Sequence, residues 1–325
     1  MSDAKHIEEI RALIFPYAVQ KMAACRQNNS RFVYYTSADT RLKIIQNAEV
    51  WLRNAAMMND FSEVHHGQNC VHRVWTDDDV GVRFKKFLAE LNPDGPEIFA
   101  KSFDADQHWR TTQSYLLSIS EHGNQSWDED RYGRLSMWRA YGGDTNVAFV
   151  FNNKPFLSST DALQAYTSPV LYRDIEGFLH DFKDALTQIE KNIKIFKSSG
   201  WDAIFPWLYQ AFRFAVLSTK HPGFSEEKEW RVIYSPTYDA KKRLVSATQV
   251  ISGTPQIIYK IPLQNIPAEG LVGMTIPELL DKILIGPTQY PLQIAEAFIA
   301  ELKKADVVEP EQRVVISGIP LRRAP

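Results

Sequence analysis

Cysteine is scarce in this chain: 325 residues hold only Cys25 and Cys70. Two distant thiols build no disulfide framework, so both read as structural and the expected setting is a reducing one, the cytoplasm. Charge of one sign is lacking as well. The balance of 37 basic and 39 acidic residues leaves a formal net charge of -2, which excludes attraction of the whole molecule to nucleic acid or to an anionic membrane. No apolar run approaches the roughly 20 residues that a membrane helix needs. The opening MSDAKHIEEIRALIF carries acidic residues and no long apolar core, and is expected not to be a signal peptide. Internal repeats, low-complexity tracts and a convincing linker are also missing.

Several chemical signatures are absent too. There is no Gly-x-Gly-x-x-Gly and no Walker-type loop, and Gly142-Gly143 reads as a helix stop. The run Gly133 to Ser136 does not form a Gly-x-Ser-x-Gly nucleophile elbow. Asp60, Glu63, His65, His66 and His72 lie close together, but without the paired-histidine spacing of a helical metal signature, so no metal is expected and the histidines read as a solvated helix face. Arg31, Arg41, Arg53, Arg131, Arg134 and Arg139 form a basic patch only if the fold gathers them.

What is present is an ordinary globular composition, 44% hydrophobic and 23% charged, with aromatics at 12%. That points to a well-packed interior or to pockets with aromatic walls. Helical spacing of Ile7, Ile10, Leu13, Ile14, Ala18 and Met22 predicts an N-terminal helix that Pro16 kinks or splits, a packing or oligomerisation element. Strands are expected at Arg31 to Thr36, Glu49 to Arg53, Ser114 to Ser120, Asn146 to Phe151, Ser168 to Tyr172, Glu229 to Tyr234, Leu244 to Val250, Ile257 to Ile261, Ile283 to Ile285 and Val314 to Ser317. Glu121 to Gly133 reads as a polar loop and Leu135 to Tyr141 as a short helix. The expected fold is a single α+β domain over residues 1–325. It has a mixed central sheet, an N-terminal helical extension at 1–29, a core over 30–322 and helical insertions near 60–112 and 175–219. The first insertion is the candidate for a lid.

The stretch Lys220 to Tyr234, KHPGFSEEKEWRVIY, stands out. After a turn at Lys-His-Pro-Gly it alternates as a strand does. Trp230, Val232 and Tyr234 fall on one face, and Glu227, Glu229, Arg231 and Ile233 on the other. Charges beside a core strand must be paired or used, so the row reads either as an ion-pair lattice or as a site. Together with Tyr34, Tyr35 and Thr36 at the end of the first strand, and Ser118 and Ser120 on one face of a middle strand, it gives three polar strand elements in chain order.

Two resemblances follow from these residues. The runs Phe32 to Ser37, Met58 to Glu63, Ser118-Ile119-Ser120, Met137-Trp138-Arg139-Ala140-Tyr141, Lys220 with Glu227 to Arg231, Ile285-Gly286-Pro287 and Ser317 to Pro320 resemble the bacterial family called domain of unknown function 2971, over roughly residues 30–322. That resemblance implies a cytoplasmic bacterial or phage-related protein and no particular activity. The order of the strand elements is similar to that of ADP-ribosyltransferases, with Tyr34 or Tyr35 where an Arg or His is usual and Ile119 where a Thr is usual.

This second resemblance implies an NAD-consuming toxin or phage-defence effector acting on a protein or nucleic-acid acceptor. Glu229 would stabilise an oxocarbenium-like transition state, and Glu227 would take the nucleophile's proton. Ser118 and Ser120 would shape the nicotinamide pocket, Tyr35 or Trp138 would stack on the ring, and Thr36 would line the same pocket. Arg31 or Arg53 would meet the pyrophosphate, and Asn59, Asp60 and Arg231 would contact substrate. Two alternatives stay open: a non-catalytic recognition or immunity module, and a nuclease-like enzyme using Asp60, Glu63 and His66.

Overall fold

The structure, a computed structural model, describes residues 2–58, 61–105, 113–123 and 127–320. It is an α+β protein with a mixed central sheet, many helices and an N-terminal helix. Pro16 splits that N-terminal segment outright. Helix α1 covers Ser2–Ile14, and α2 starts on the proline and covers Pro16–Gln27, since proline is tolerated in a first turn and not in an interior. The chain gathers into two compact units. One consists of Met1–Ala23, Asn54–Ser114 and Ser168–Glu226, the other of Ala24–Arg53, Tyr115–Thr167 and Glu227–Pro325. Both insertions expected from the sequence lie in the first unit.

The sheet unit begins with β1, Arg31–Ser37, then α3, Ala38–Asn47, and β2, Glu49–Asn54. Ser37 caps α3 in an extended conformation, and Ala48 closes it at φ 47°, a left-handed stop that turns the chain straight into β2. Next in the chain come β3, Tyr115–His122, the short helix Trp127–Tyr132 and the helix Leu135–Tyr141. The expected polar loop after Ser120 therefore starts as strand. The Glu121 amide bonds the Lys228 carbonyl at 2.8 Å and carries the pairing two residues further. Strand β4, Thr145–Phe151, is apolar on both faces and nearly all buried, as an interior strand requires.

The remaining strands are β5, Ala165–Pro169, β6, Leu171–Tyr172, β7, Thr219–Lys220, β8, Glu229–Tyr234, β9, Val245–Ile251, β10, Thr254–Pro262, β11, Leu280–Thr288, and β12, Val314–Ile316. The run expected as one strand from Ser168 to Tyr172 is two, broken at Val170. Strand order in the large sheet is β12-β11-β4-β1-β3-β2-β10-β9, with β8 pairing β3 and β5. One parallel pair, β11 with β12, makes the sheet mixed.

The position of β1 matters most. It pairs β4 along Phe32–Ser37 but meets β3 only through Arg31, Phe32 and Val33. Beyond Val33 it parts from β3, and β2 takes the neighbouring place on β3. The sheet is thus split between the second half of β1 and β2, with α3 joining the two lips.

The helical unit is built on aromatic packing. Phe84, on the helix Val80–Leu91, is 1% exposed. Its ring lies 5.2 Å from Phe212, 5.4 Å from Phe182, 5.6 Å from Phe99 and 6.2 Å from both Trp75 and Phe87. Gly67, on the helix Phe61–Thr76, lets that helix touch Trp201–Ser218 backbone to backbone. A β-carbon there would stand 2.3 Å from the Val216 carbonyl oxygen. No helix among the described residues is long and apolar enough to cross a membrane.

Candidate functional site

Register brings three predicted strand elements to one face of the sheet. Ser120 pairs Val33 on one side and Glu229 on the other, and Ser118 pairs Arg231. Because strand side chains alternate, Tyr35, Ser118, Ser120, Glu229 and Arg231 all point to the same side. Glu229 and Arg231 are buried, 6% and 3% exposed. The Arg231 Nε donates to Glu229 Oε1 at 2.8 Å, and its Nη2 donates to Oε2 at 3.2 Å. This two-pronged geometry is the strong form of a carboxylate–guanidinium pair. Strand β8 is buried along its whole length, so neither of its faces is a wet one.

Glu227 departs from the expected row. It ends the 3-10 turn Pro222–Glu227, and Lys228 follows with φ 46°, a left-handed residue that breaks the alternation before Glu229. Two residues apart in sequence, the glutamates therefore do not share a strand face. Glu227 instead accepts a hydrogen bond from the Tyr141 hydroxyl at 3.2 Å.

Tyr35 and Trp138 are 4% and 1% exposed, and they stand edge to face at 4.7 Å in a cluster with Val33, Met137, Ala148, Val150 and Leu284. This corrects the stacking role expected for them: rings closed into the core offer no face to a nicotinamide. The Tyr35 hydroxyl accepts from the Arg134 amide at 3.0 Å, and burial pushes its pKa up to about 12 against the lowering effect of Arg134. Arg134 ties the region together. Its Nε donates to Glu129 at 2.8 Å, its Nη1 to the Glu227 carbonyl at 2.9 Å, and its Nη2 to the Glu121 carbonyl.

Arg31, expected at the pyrophosphate, is instead held between Asp130 at 2.5 Å and Asp281. Lys282 meets Asp130 at 2.5 Å, and the fully buried His122 places Nε2 3.2 Å from the same carboxylate. Burial acts to raise Asp130, but hydrogen bonds from Lys282, Arg31 and His122 outweigh it and hold the group at about 2. His122 is shifted down by burial, against its carboxylate neighbours, and stays neutral near pH 7.

A folded-state pKa below the ordinary carboxylate value of about 3.9 adds stability above that value and loses it as pH falls toward the folded pKa. Asp130→Asn is therefore expected to lower the urea midpoint relative to the parent protein at about pH 6, with the gap narrowing below about pH 4 and closing only near about pH 2. A gap that stays constant across that range rules this linkage out.

The split in the sheet opens a cleft of about 500 Å³. Tyr34, Thr36 and Ser37 line it from β1, and Asp39, Thr40, Lys43 and Asn47 from α3. Glu49, Trp51 and Arg53 line it from β2, Tyr141 to Gly143 follow the helix Leu135–Tyr141, and Gln249 comes from β9. The volume lies within the usual range for small-molecule sites. A shallower depression bounded by Lys43, Glu49, Trp51, Gln249 and Lys260 adjoins it. Glu49 accepts from the Trp51 indole at 2.9 Å and pairs with Lys260 at 2.8 Å, which fixes the indole in the wall.

Of the predicted cofactor contacts, the cleft takes Thr36 and Arg53. Ser118, Ser120, Glu229 and Arg231 are not among its lining residues. Tyr141 belongs to both places, since it lines the cleft and bonds Glu227.

Tyr141, Trp51 and Arg41 carry weight here, and the sequence assigns none of them a site role: Arg41 enters only in the conditional basic patch and Tyr141 only in the family motif. Arg41 had a readable signal: it sits three and four residues before Ile44 and Ile45, on the apolar stripe of α3, and it is 0% exposed. Burial lowers its pKa to about 9, partly opposed by Tyr34. The basic patch is not assembled: Arg41 is buried under α3 while Arg31 and Arg134 are tied to carboxylates.

Asn59 and Asp60 lie outside the described residues, as does the side chain of Glu63. His66, the third member of the nuclease alternative, sets its Nε2 2.8 Å from the Arg173 carbonyl. Among the described residues no group of three or more His, Cys, Asp or Glu side chains is placed to hold a metal ion.

Residues 137–232 match the family described as "Protein of unknown function (DUF2971)". The DUF2971 match runs from the helix that carries Trp138 and Tyr141 into β8, and so takes in Glu227, Glu229 and Arg231. It covers a narrower stretch than the motifs quoted from the sequence. No curated protein matches the chain, and no solved structure does.

Proposed function

We propose that the sheet unit is an NAD-consuming enzyme of the ADP-ribosyltransferase type, a cytoplasmic toxin or phage-defence effector with a protein or nucleic-acid acceptor. The observation that carries the reading is the register that sets Ser120 opposite Glu229, with Ser118 and Arg231 on the same face. NAD occupies the cleft, where Thr36 and Arg53 meet it. Its nicotinamide end lies toward Tyr141, which bonds Glu227, and the wall between the cleft and the buried Glu229 opens on binding. The C–N bond between nicotinamide and ribose breaks, and nicotinamide leaves with the bonding pair. The positive charge that builds on the ribose is stabilised by Glu229, whose carboxylate Arg231 holds in one orientation. The acceptor's lone pair closes on the anomeric carbon, and its proton passes to Glu227.

The test is nicotinamide release from NAD, followed by chromatography, with total protein and nucleic acid of a bacterial host offered as acceptors. Release above the uncatalysed rate is expected. Intact NAD across all acceptors removes the reading.

The buried Glu229–Arg231 pair favours a second reading. A carboxylate satisfied at 2.8 Å and 3.2 Å by one guanidinium is also what a purely structural pair looks like. In that case the unit is a recognition module that binds through the cleft and turns nothing over.

A further inference from the structure

Arg41 is the anomaly of the sheet unit. A guanidinium taken out of water is costly unless a counter-charge or a full set of hydrogen bonds compensates it. Arg41 has neither. Its Nη2 donates to the Tyr34 carbonyl, and among the described residues its Nε and Nη1 have no hydrogen-bond partner and no carboxylate pairs with it. What it has is aromatic: the guanidinium carbon stands 3.6 Å over the Tyr34 ring and 5.0 Å from that of Phe149. Tyr34 also lines the cleft. The charge thus lies one ring behind the cleft wall, in a medium where it is weakly screened. Within the cleft the two lining carboxylates are already matched, Asp39 by Lys43 at 2.8 Å and Glu49 by Lys260 at 2.8 Å. Arg41 therefore adds an unmatched positive charge behind the Tyr34 wall.

We propose that the cleft selects phosphate-bearing ligands of the nucleoside diphosphate class, and that Arg41 is the positioning residue that makes it do so, acting through the Tyr34 ring. The ligand's phosphates supply the missing counter-charge. The Trp51 indole and the Tyr141 ring give the base an aromatic surface. The inference rests on the cleft being the ligand's seat, as in the reading above, and not on any chemistry by Glu229.

Titration calorimetry of the full chain with ADP and with adenosine tests it. The parent protein is expected to bind ADP at least about tenfold more tightly than adenosine. Arg41→Met should erase that preference while leaving adenosine affinity within about twofold, and Arg41→Lys, which keeps the charge, should retain it. A purely structural Arg41 would weaken both ligands together. Equal affinity for ADP and adenosine in the parent, or no ADP binding at about 1 mM, overturns the proposal. So does a Met variant that keeps the preference. Should the Met variant not fold, the parent ratio and the Lys variant decide. ADP binding by the parent protein without nicotinamide release from NAD sinks the transferase reading alone and leaves this proposal standing.

Discussion

Glu229→Ala is expected to cost the protein about 3–5 kcal/mol, one of the two largest stability losses of any single change discussed here. The reason lies in what remains rather than in what goes. Arg231 is 3% exposed, and two of its nitrogens point at Glu229. Without the carboxylate, a buried guanidinium keeps its charge and loses the acceptor that two of its nitrogens bond. The double variant Glu229→Ala, Arg231→Met removes both charges and fills most of the space, so it should recover a large part of the loss. Chemical denaturation of the two single variants and the double variant reads the coupling directly. A double variant as unstable as the sum of the singles would mean that the pair is not the source of the effect. Glu229→Gln separates stability from chemistry, since it keeps the volume and one acceptor for Arg231. In the transferase reading it should slow nicotinamide release by about 10²–10³-fold, with a much smaller stability loss than alanine.

Phe84→Ala should cost a comparable amount, about 3–5 kcal/mol, in the helical unit. Five aromatic rings surround Phe84 with centroids between 5.2 Å and 6.2 Å. They come from several helices, so the space left by the benzyl group has no single element that can move in to fill it. Leu135→Ala is the control: that side chain is 46% exposed and should shift the midpoint little. Thermal or urea unfolding followed by near-ultraviolet circular dichroism checks both, because the signal of the packed aromatics should be lost at lower denaturant in Phe84→Ala alone. A midpoint unchanged from the parent would show that the cluster repacks.

The strands were legible because their residues obey a local rule. Arg31 to Thr36 and Asn146 to Phe151 are β-branched and aromatic runs, and they form β1 and β4 within a residue or two of the expected limits. That Ser118 and Ser120 share one face of β3, and Glu229 and Arg231 one face of β8, is legible for the same reason; that β3 and β8 pair, which joins the two faces, is not. Glu227 was misplaced because alternation was extended through Lys228, whose left-handed φ of 46° has no sequence signature in a lysine. The sequence makes Tyr35 and Trp138 ring platforms because aromatic type does not say whether a face is open, and here the helix Leu135–Tyr141 packs its own Trp138 onto Tyr35 in the core. The cleft was not legible at all. It exists because β1 leaves β3 after Val33 and β2 takes its neighbouring place, a choice between partners far away in the chain.

Those distant partners set a tempo. Leu52 on β2 pairs Tyr259 on β10, Val33 on β1 pairs Ser120, and Tyr115 on β3 pairs Tyr234. A nascent chain therefore carries β2 with an open edge until β10 has emerged from the far half, while β1 finds both its neighbours, β3 and β4, earlier. Assembly dominated by such remote closures is slow and exposes unpaired edges to other chains meanwhile. The split that opens the cleft thus also sets how long an unpaired edge stays exposed as the chain is made.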